Sequence, residues 1–387
     1  MKKAKFKMTE IGLIPEDWEV KRLGDIGQVV TGSTPPRNDS SNWGGDFNWI
    51  SAKDFNGKYI SKTEEHITEV GKRFCRLLPE NSVLVTCIAS IGLNAISKKA
   101  CATNQQINAV VCRVDSSEYL YYQICYRNGD LKLLAGQTAV PIIGKKQFED
   151  VLISLPPLPE QKVIAEVLSD VDALIAAQEE LIEKKRAIKQ GAMQELLTGK
   201  KRLPGFGGEW RTLYLGSIAD IRTGKRNGDE QKTDGIYPFF VRSQNIYSID
   251  TYSYDGEAIV VPGEGGIGSI FHYINGKFDF HQRVYKVSDF PNNISCKYVY
   301  YYMKHFFGTY ALQNTVKATV DSLRLPTFQN FTIDLPPSIA EQKAIAEVLS
   351  DMDAEISELE AQKAKFESIK QGMMQELLTG KTRLKGV

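Results

Sequence analysis

Over two long stretches apolar side chains recur at spacings of three, four and their sum, seven: Ile164, Val167, Val171, Leu174, Leu181 and Ile188 in the first, Ile345, Val348, Met352, Leu359, Phe366 and Ile369 in the second. That period predicts two helices with a narrow apolar seam, the pattern of a coiled coil. Each follows a proline pair, Pro156-Pro157 or Pro336-Pro337, and stops at a glycine, Gly199 or Gly380. Roughly 38 residues at ~1.5 Å each gives ~57 Å, too long for an ordinary globular helix. The seams differ: the first is polar at Gln178 and Lys185, where the second has Leu359 and Phe366, and the second is polar at Glu355, where the first has Leu174. This favours pairing of the two helices within one chain; separate packing on two domains is the alternative.

The helices are also near-copies. "PEQKVIAEVLSDVDALI" from Pro159 matches "AEQKAIAEVLSDMDAEI" from Ala340, and "KQGAMQELLTGK" from Lys189 matches "KQGMMQELLTGK" from Lys370. The segments before them correspond more weakly, "WEVKRLGDIGQVVTG" from Trp18 with "WRTLYLGSIADIRTG" from Trp210, and "NQQINAV" from Asn104 with "HQRVYKV" from His281. One unit is therefore written twice: a globular domain over 1–154, a long helix over 155–203, a second domain over 204–334 and a second helix over 335–387. Short strand-like runs such as "SVLVTCIA" and "EAIVVP" predict mixed α+β domains, while "YLYYQICYR" and "YVYYYMKHFF" fit helix and strand equally well.

Composition adds mostly exclusions. No apolar run approaches the ~18 residues of a membrane span, and the basic start has no following apolar core, so a cytoplasmic protein with no membrane partner is expected. The six cysteines form no C-x-x-C pair and read as reduced, mostly buried thiols; the four histidines have no zinc-like spacing, so no metal is expected. The net charge of +1 means that any phosphate contact must come from local clusters.

Apparent catalytic motifs fail on context. "GEGGIG" from Gly263 is followed by β-branched and aromatic residues rather than a helix, so we expect a tight turn and no dinucleotide site. "TGKT" from Thr379 lacks the first glycine of a phosphate-binding loop and reads as a helix stop. The Pro-Pro pairs lack the flanking residues with which an adenine methyltransferase holds a flipped base. No catalytic constellation is expected.

What remains are polar loops rich in side chains that read base edges and phosphates. In the first domain these are Ser33, Thr34, Arg37 and Asn38 of "TGSTPPRNDSSNW", Lys53, Gln105, Lys145 and Lys146. The second domain offers Lys225, Arg226 and Asn227 of "TGKRNGD", Arg242 and Gln244 of "VRSQN", Arg283, Lys317 and Arg324.

Two variable domains, each followed by a near-identical helix bearing "EQKxIAEVLSDxDA" and "KQGxMQELLTGK", resemble the specificity subunit of type I restriction-modification enzymes. The resemblance implies a non-catalytic chain with two target recognition domains, each binding one half of a split asymmetric sequence in double-stranded DNA. It implies an antiparallel coiled coil that fixes the gap; the helix length of ~57 Å bounds that gap at roughly 17 base pairs of ~3.4 Å each. Two DNA methyltransferase subunits would dock on the helices and bind S-adenosylmethionine, and restriction/translocase subunits would use ATP and Mg2+. A self-contained DNA-modifying enzyme and a helical scaffold without DNA binding are the rival readings. Two further expectations follow: Gly191 and Gly372, inside the helices, admit close approach of the facing helix or of a methyltransferase helix, local fraying being the alternative, and Val387 lies beside Ile14.

Overall fold

The computed structural model describes residues 5–136, 139–266, 268–313 and 322–384. The chain forms two compact units, one of residues 1–178 with 362–387 and the other of residues 179–361. The divisions fall inside the two long helices, Leu158–Leu196 and Ile339–Leu377. Each unit thus owns the start of one helix and the end of the other.

In the first unit a five-stranded sheet runs in the order Gly27–Thr31, Ile107–Cys112, Val83–Thr86, Asn94–Ser97, Tyr59–Ile60, antiparallel except for its last pair. A smaller sheet joins Cys101–Thr103, Trp43–Ile50 and Glu65–Ile67. The second unit repeats the order in a six-stranded sheet: Asp220–Thr223, Val284–Ser288, Tyr254–Pro262, His272–Phe280, Tyr237–Phe240, Ile246–Ile249. Its one parallel pair, Tyr237–Phe240 with His272–Phe280, takes the place of the parallel pair in the first.

The two ambiguous tyrosine-rich stretches are helices, Ser117–Tyr126 and Cys296–Gln313. Their buried tyrosines find hydroxyl partners as buried phenols must. Tyr119 donates to the carbonyl of Ser154 at 2.9 Å, and Tyr298 donates to that of Asp334 at 2.8 Å.

The repeated helix residues make the same bonds in both units. Gln161 accepts from the Ser116 N–H at 2.9 Å and donates to the Pro156 carbonyl at 2.9 Å; Gln342 does so with Ser295 and Pro336 at 2.9 and 3.0 Å. Tyr122 donates to Asp172 at 2.6 Å and Tyr301 to Asp353 at 2.9 Å. Asp172 also pairs with Lys370 at 2.5 Å, and Asp353 with Lys189. Glu160 receives Arg383 and Glu341 receives Arg202, each on both carboxylate oxygens.

Residue 172 meeting 370 in the first unit, and 185 meeting 355 and 189 meeting 353 in the second, gives an antiparallel helix pair in each. The seam read from the sequence is corrected in the first helix. Leu174, Leu181 and Ile188 are exposed at 54%, 38% and 48%, whereas Ile164, Leu168, Ile182 and Met193 are buried. Ile164 and the polar Lys185 keep the places expected of them, but beside Leu181 and Ile188 the inward positions are one residue on, at Ile182 and Lys189. Lys185 bridges Glu355 at 2.5 Å, and Lys189 is buried against Asp353. In the second helix Ile345 and Ile356 are buried, while Ile369 is exposed.

The helix stops are left-handed glycines, Gly199 at φ +68° and Gly380 at φ +70°, seated against Trp210 and against Pro15 with Trp18. Met374, Leu377 and Leu378 enter the first core beside Trp18, and Met193, Leu196 and Leu197 enter the second beside Leu215. Beyond Gly380, Arg383 pairs with Asp17 through two bonds of 2.9 Å, so the segment after the second helix runs beside Asp17; Val387 lies outside the described residues. A side-chain carbon at Gly191 or Gly372 would meet no atom within 4 Å, so the facing helix does not require either glycine. Of the six free cysteines three are buried and three half-buried. Among the described residues no helix is long and apolar enough to cross a membrane.

Candidate nucleic-acid interface

Both units build the same loop frame. At the end of one sheet strand the Thr-Gly step, Thr31-Gly32 or Thr223-Gly224, crosses the turn that opens "NQQINAV" or "HQRVYKV". A side-chain carbon on Gly32 would lie 2.1 Å from the Asn104 carbonyl oxygen, and one on Gly224 would lie 2.0 Å from that of Phe280. Only glycine fits such an approach.

The turn is held by the first residue of each motif. Asn104 Oδ1 accepts from the Gln106 N–H at 3.0 Å, and His281 Nδ1 accepts from the Arg283 N–H at 2.9 Å. The exchange of Asn for His therefore preserves one bond. Burial first, and then the charges of Arg242 and Arg283, keep the His281 pKa below the usual histidine range, consistent with a neutral ring whose Nδ1 accepts.

The next residue is a glutamine in both motifs, tied to the loop after the Thr-Gly step. Thr34 donates to Gln105 at 2.5 Å, and Gln282 donates to Asn227 at 2.7 Å. Gln282 was not among the residues singled out from the sequence, although its match to Gln105 in the repeat marks it.

On the first frame Arg37 is exposed and makes a two-pronged ion pair with Glu65. Its guanidinium lies 4.0 Å from the Trp43 ring centre and 4.8 Å from that of Trp49. Asn38, Lys53 and Gln105 are exposed nearby in the chain path. Ser33 faces inward: its hydroxyl donates to the Phe74 carbonyl at 3.1 Å, and its carbonyl accepts from the Trp49 indole at 3.2 Å. Arg76, not anticipated, donates to the Thr31 carbonyl at 2.6 Å and braces the Thr-Gly step.

Lys145 and Lys146 are not part of this group. They line a separate cleft of about 340 Å³ with Arg22, Gly27, Gln28 and Arg113, at the other end of the Gly27–Thr31 strand, and pair with Glu149 and Asp150.

On the second frame Arg226 is committed internally. Its three nitrogens bond Asp279 at 3.0 Å, Glu230 at 3.0 Å and Thr251 at 2.9 Å, and Asp279 is only 1% exposed. Lys225, Asn227, Arg242, Gln244, Arg283 and Arg324 are exposed. Glu264 stands between Arg242 and Arg283, 3.3 Å from each, and two clefts of about 460 and 410 Å³ share it. The first is lined by Arg242 and His281, the second by Gln282, Arg283 and Arg324. Lys317 lies outside the described residues.

The "GEGGIG" stretch carries left-handed backbone at Gly265, Gly266 and Gly268 and leads into the strand His272–Phe280. That is a turn, with no helix start for a pyrophosphate. Among the described residues no group of three or more His, Cys, Asp or Glu side chains is placed to hold a metal ion.

The family model described as the type I restriction modification DNA specificity domain matches residues 15–185 and again 207–367. The MjaVIII specificity subunit of Methanocaldococcus jannaschii is 26% identical over 97% of this chain and 95% of its own. The MjaIX specificity subunit of the same organism is 40% identical over 190 residues, 46% of this chain and 44% of that one, so the match spans less than half of that relative's length. Among solved structures the type I restriction-modification S subunit from M. genitalium superposes with a TM-score of 0.66 at 14% identity, over 97% of this chain and 98% of that one.

Proposed function

The chain belongs to the family of type I restriction-modification DNA specificity subunits, and from this we propose that each of its domains, 1–154 and 204–334, reads one half of a split asymmetric site in double-stranded DNA. The observation that carries the reading is the duplicated frame, in which one backbone scaffold presents two unlike sets of side chains. Arg37, Asn38, Lys53 and Gln105 stand on the first frame; Lys225, Asn227, Arg242, Gln244, Gln282, Arg283 and Arg324 stand on the second. Thr34, Ser33 and Arg226 shape the loops. Lys145 and Lys146 suit a flanking phosphate contact. Lys317 belongs to the same set by sequence.

The helical segments 155–203 and 335–387 set the gap between the half-sites. A rigid spacer acts by effective concentration, since engagement of one half-site holds the second reader within reach only where the gap fits. The same segments dock two DNA methyltransferase subunits. Leu174, Leu181 and Ile188, seven residues apart and exposed while Ile164, Leu168 and Ile182 of the same helix are buried, fit that role, as does the open space at Gly191 and Gly372. Adenine methylation with S-adenosylmethionine, and cleavage driven by ATP with Mg2+, belong to partner subunits in the cytoplasm.

The test is to map methylated adenines in DNA from cells that express this chain with its methyltransferase, before and after exchanging residues 18–154 for those of another family member. One half of a bipartite motif should change. Change in both halves, or a motif that is not bipartite, refutes the reading. The purified chain alone should transfer no methyl group.

A further inference from the structure

We propose that Arg37 is the base reader of the first domain and that the base it reads is guanine. This rests on the reading of that domain as a DNA half-site binder.

A flexible exposed arginine suits a phosphate, a diffuse anionic target. Arg37 is built otherwise. Pro36, just before it, is pinned through its carbonyl, which accepts from the Asn42 amide and the Trp43 indole, both at 3.2 Å. The guanidinium lies over two tryptophan rings that themselves meet edge to face at 5.1 Å. Its two terminal nitrogens take the two oxygens of Glu65, a residue paired with Trp49 in the neighbouring strand. Plane and rotation of the fork are thereby set before any ligand arrives.

The carboxylate has a second consequence. It cancels most of the arginine's net charge, so the pair attracts a phosphate weakly. It leaves the Nε–H and the outer N–H of each terminal nitrogen without a partner among the described residues, on a side chain that is 53% exposed. A rigid edge of parallel donors with little net charge matches a neutral surface bearing two adjacent acceptors. On a DNA base pair that is guanine O6 and N7 in the major groove; adenine offers a donor beside its N7, and thymine a single acceptor.

The experiment uses the complex of this chain with its methyltransferase and DNA carrying the mapped motif. Each guanine of the half-site assigned to the first domain is replaced in turn by 7-deazaguanine, which lacks the N7 acceptor, and methylation by the unaltered complex is measured. One position should lose about 5- to 150-fold, the discrimination of a bidentate base contact. The Arg37→Lys complex should then lose discrimination at that same position only, and Glu65→Gln should weaken it. The logarithmic salt slope of binding should change by much less than one unit in Arg37→Lys and in the Arg37→Ala/Glu65→Gln double variant, which removes both charges of the pair.

The proposal is overturned if the half-site contains no guanine, if no single deaza substitution matters, or if the Arg37→Ala/Glu65→Gln double variant lowers affinity evenly for all sequences with a slope change of about one, the mark of a phosphate contact. Because the deaza arm uses the unaltered chain, a misfolded variant cannot decide the outcome. A wild-type complex that modifies a bipartite motif while all Arg37 arms are null removes this inference alone. Failure of the domain exchange removes the DNA-reading assignment and this inference with it.

Discussion

Glu160→Ala should loosen the second helix from the first domain, and the structure sets the size of the effect. Glu160 is 3% exposed and takes three bonds: the Trp18 indole at 3.1 Å, Arg383 Nε at 2.5 Å and Arg383 Nη2 at 2.7 Å. A hydrogen bond to a charged group contributes about 1.5–3 kcal/mol, and a buried donor left alone costs about 1–3 kcal/mol. These do not add here. Arg383 is one-third exposed and keeps Asp17, whose carboxyl it holds below the usual aspartate range, so solvent and the second carboxylate cushion its loss. A net loss of about 2–4 kcal/mol follows for Glu160→Ala, and about half of that for Glu160→Gln, which retains an acceptor. In a unit of about 200 residues this lowers Tm by roughly 5–15 °C. Thermal unfolding followed by intrinsic fluorescence reads the shift; Trp18, whose ring the Arg383 guanidinium covers at 5.8 Å, contributes to that signal beside Trp43, Trp49 and Trp210. The Glu160→Ala/Arg383→Ala double variant should lose at least about 1 kcal/mol less than the sum of the single variants. A Tm change below about 1 °C for Glu160→Ala, or strict additivity in the cycle, would refute the anchoring role.

Three other outcomes are expected. The His281 ring takes up a proton less readily in the fold than in the unfolded chain, whose pKa is about 6.5, so stability of the second unit should fall as pH drops below about 6.5 and level off beneath the lowered folded value. His272 and His305 are shifted the same way by burial, so His281→Asn, which restores the acceptor used by Asn104, should remove part of the slope in urea unfolding against pH; an unchanged slope denies His281 a share. Gly32→Ala should disrupt recognition of the first half-site and Gly224→Ala that of the second, each tested by methylation of DNA altered in one half only; equal loss in both halves would contradict two independent frames. Gly191→Ala and Gly372→Ala should each stabilise the free chain by up to about 1 kcal/mol, since the added carbon meets nothing, while Gly191→Leu with Gly372→Leu should weaken methyltransferase assembly, measured by analytical ultracentrifugation. Unaltered assembly would end the docking role of that space.

The repeat was legible because its residues bond in matched pairs. Letters that recur at an offset of 181, such as Glu160 and Glu341 or Asp172 and Asp353, recur because each satisfies the same partners in its own unit. The seam was misread by one helix position because apolar periodicity counts Leu174, Leu181 and Ile188 as core. It cannot foresee that Lys189, one position beyond Ile188, turns inward once Asp353 waits for it. The tyrosine-rich helices were ambiguous for a related reason. A tyrosine has a strand former's ring, and only the distant carbonyls of Ser154 and Asp334 make it suitable on a buried helix face. Among the residues proposed for the interface the sequence marked Arg37, Gln105, Arg242 and Arg283 by type. Glu65 and Glu264, which orient the arginines, come from separate strands and turns and carry no local signal.

That division of labour explains why one helix ending is written twice while the loops are not. Glu160 must accept an arginine that lies 223 residues away in sequence, and Glu341 one that lies 139 residues away in the other direction along the chain. Each domain is closed by the ending of the helix that does not begin in it. A change in Glu160 alone, or in Arg383 alone, leaves the other charge short of its partner, so the letters of these anchors are constrained together. The loop side chains on the Thr-Gly frame meet no such demand. Thr34 and Asn227 both hold a glutamine with different chemistry, and Asn104 and His281 both accept one N–H from different rings and amides. A scaffold whose backbone is fixed by glycine and by a single accepted bond can exchange what it displays without disturbing what holds it, and that is the property a reader of many sequences requires.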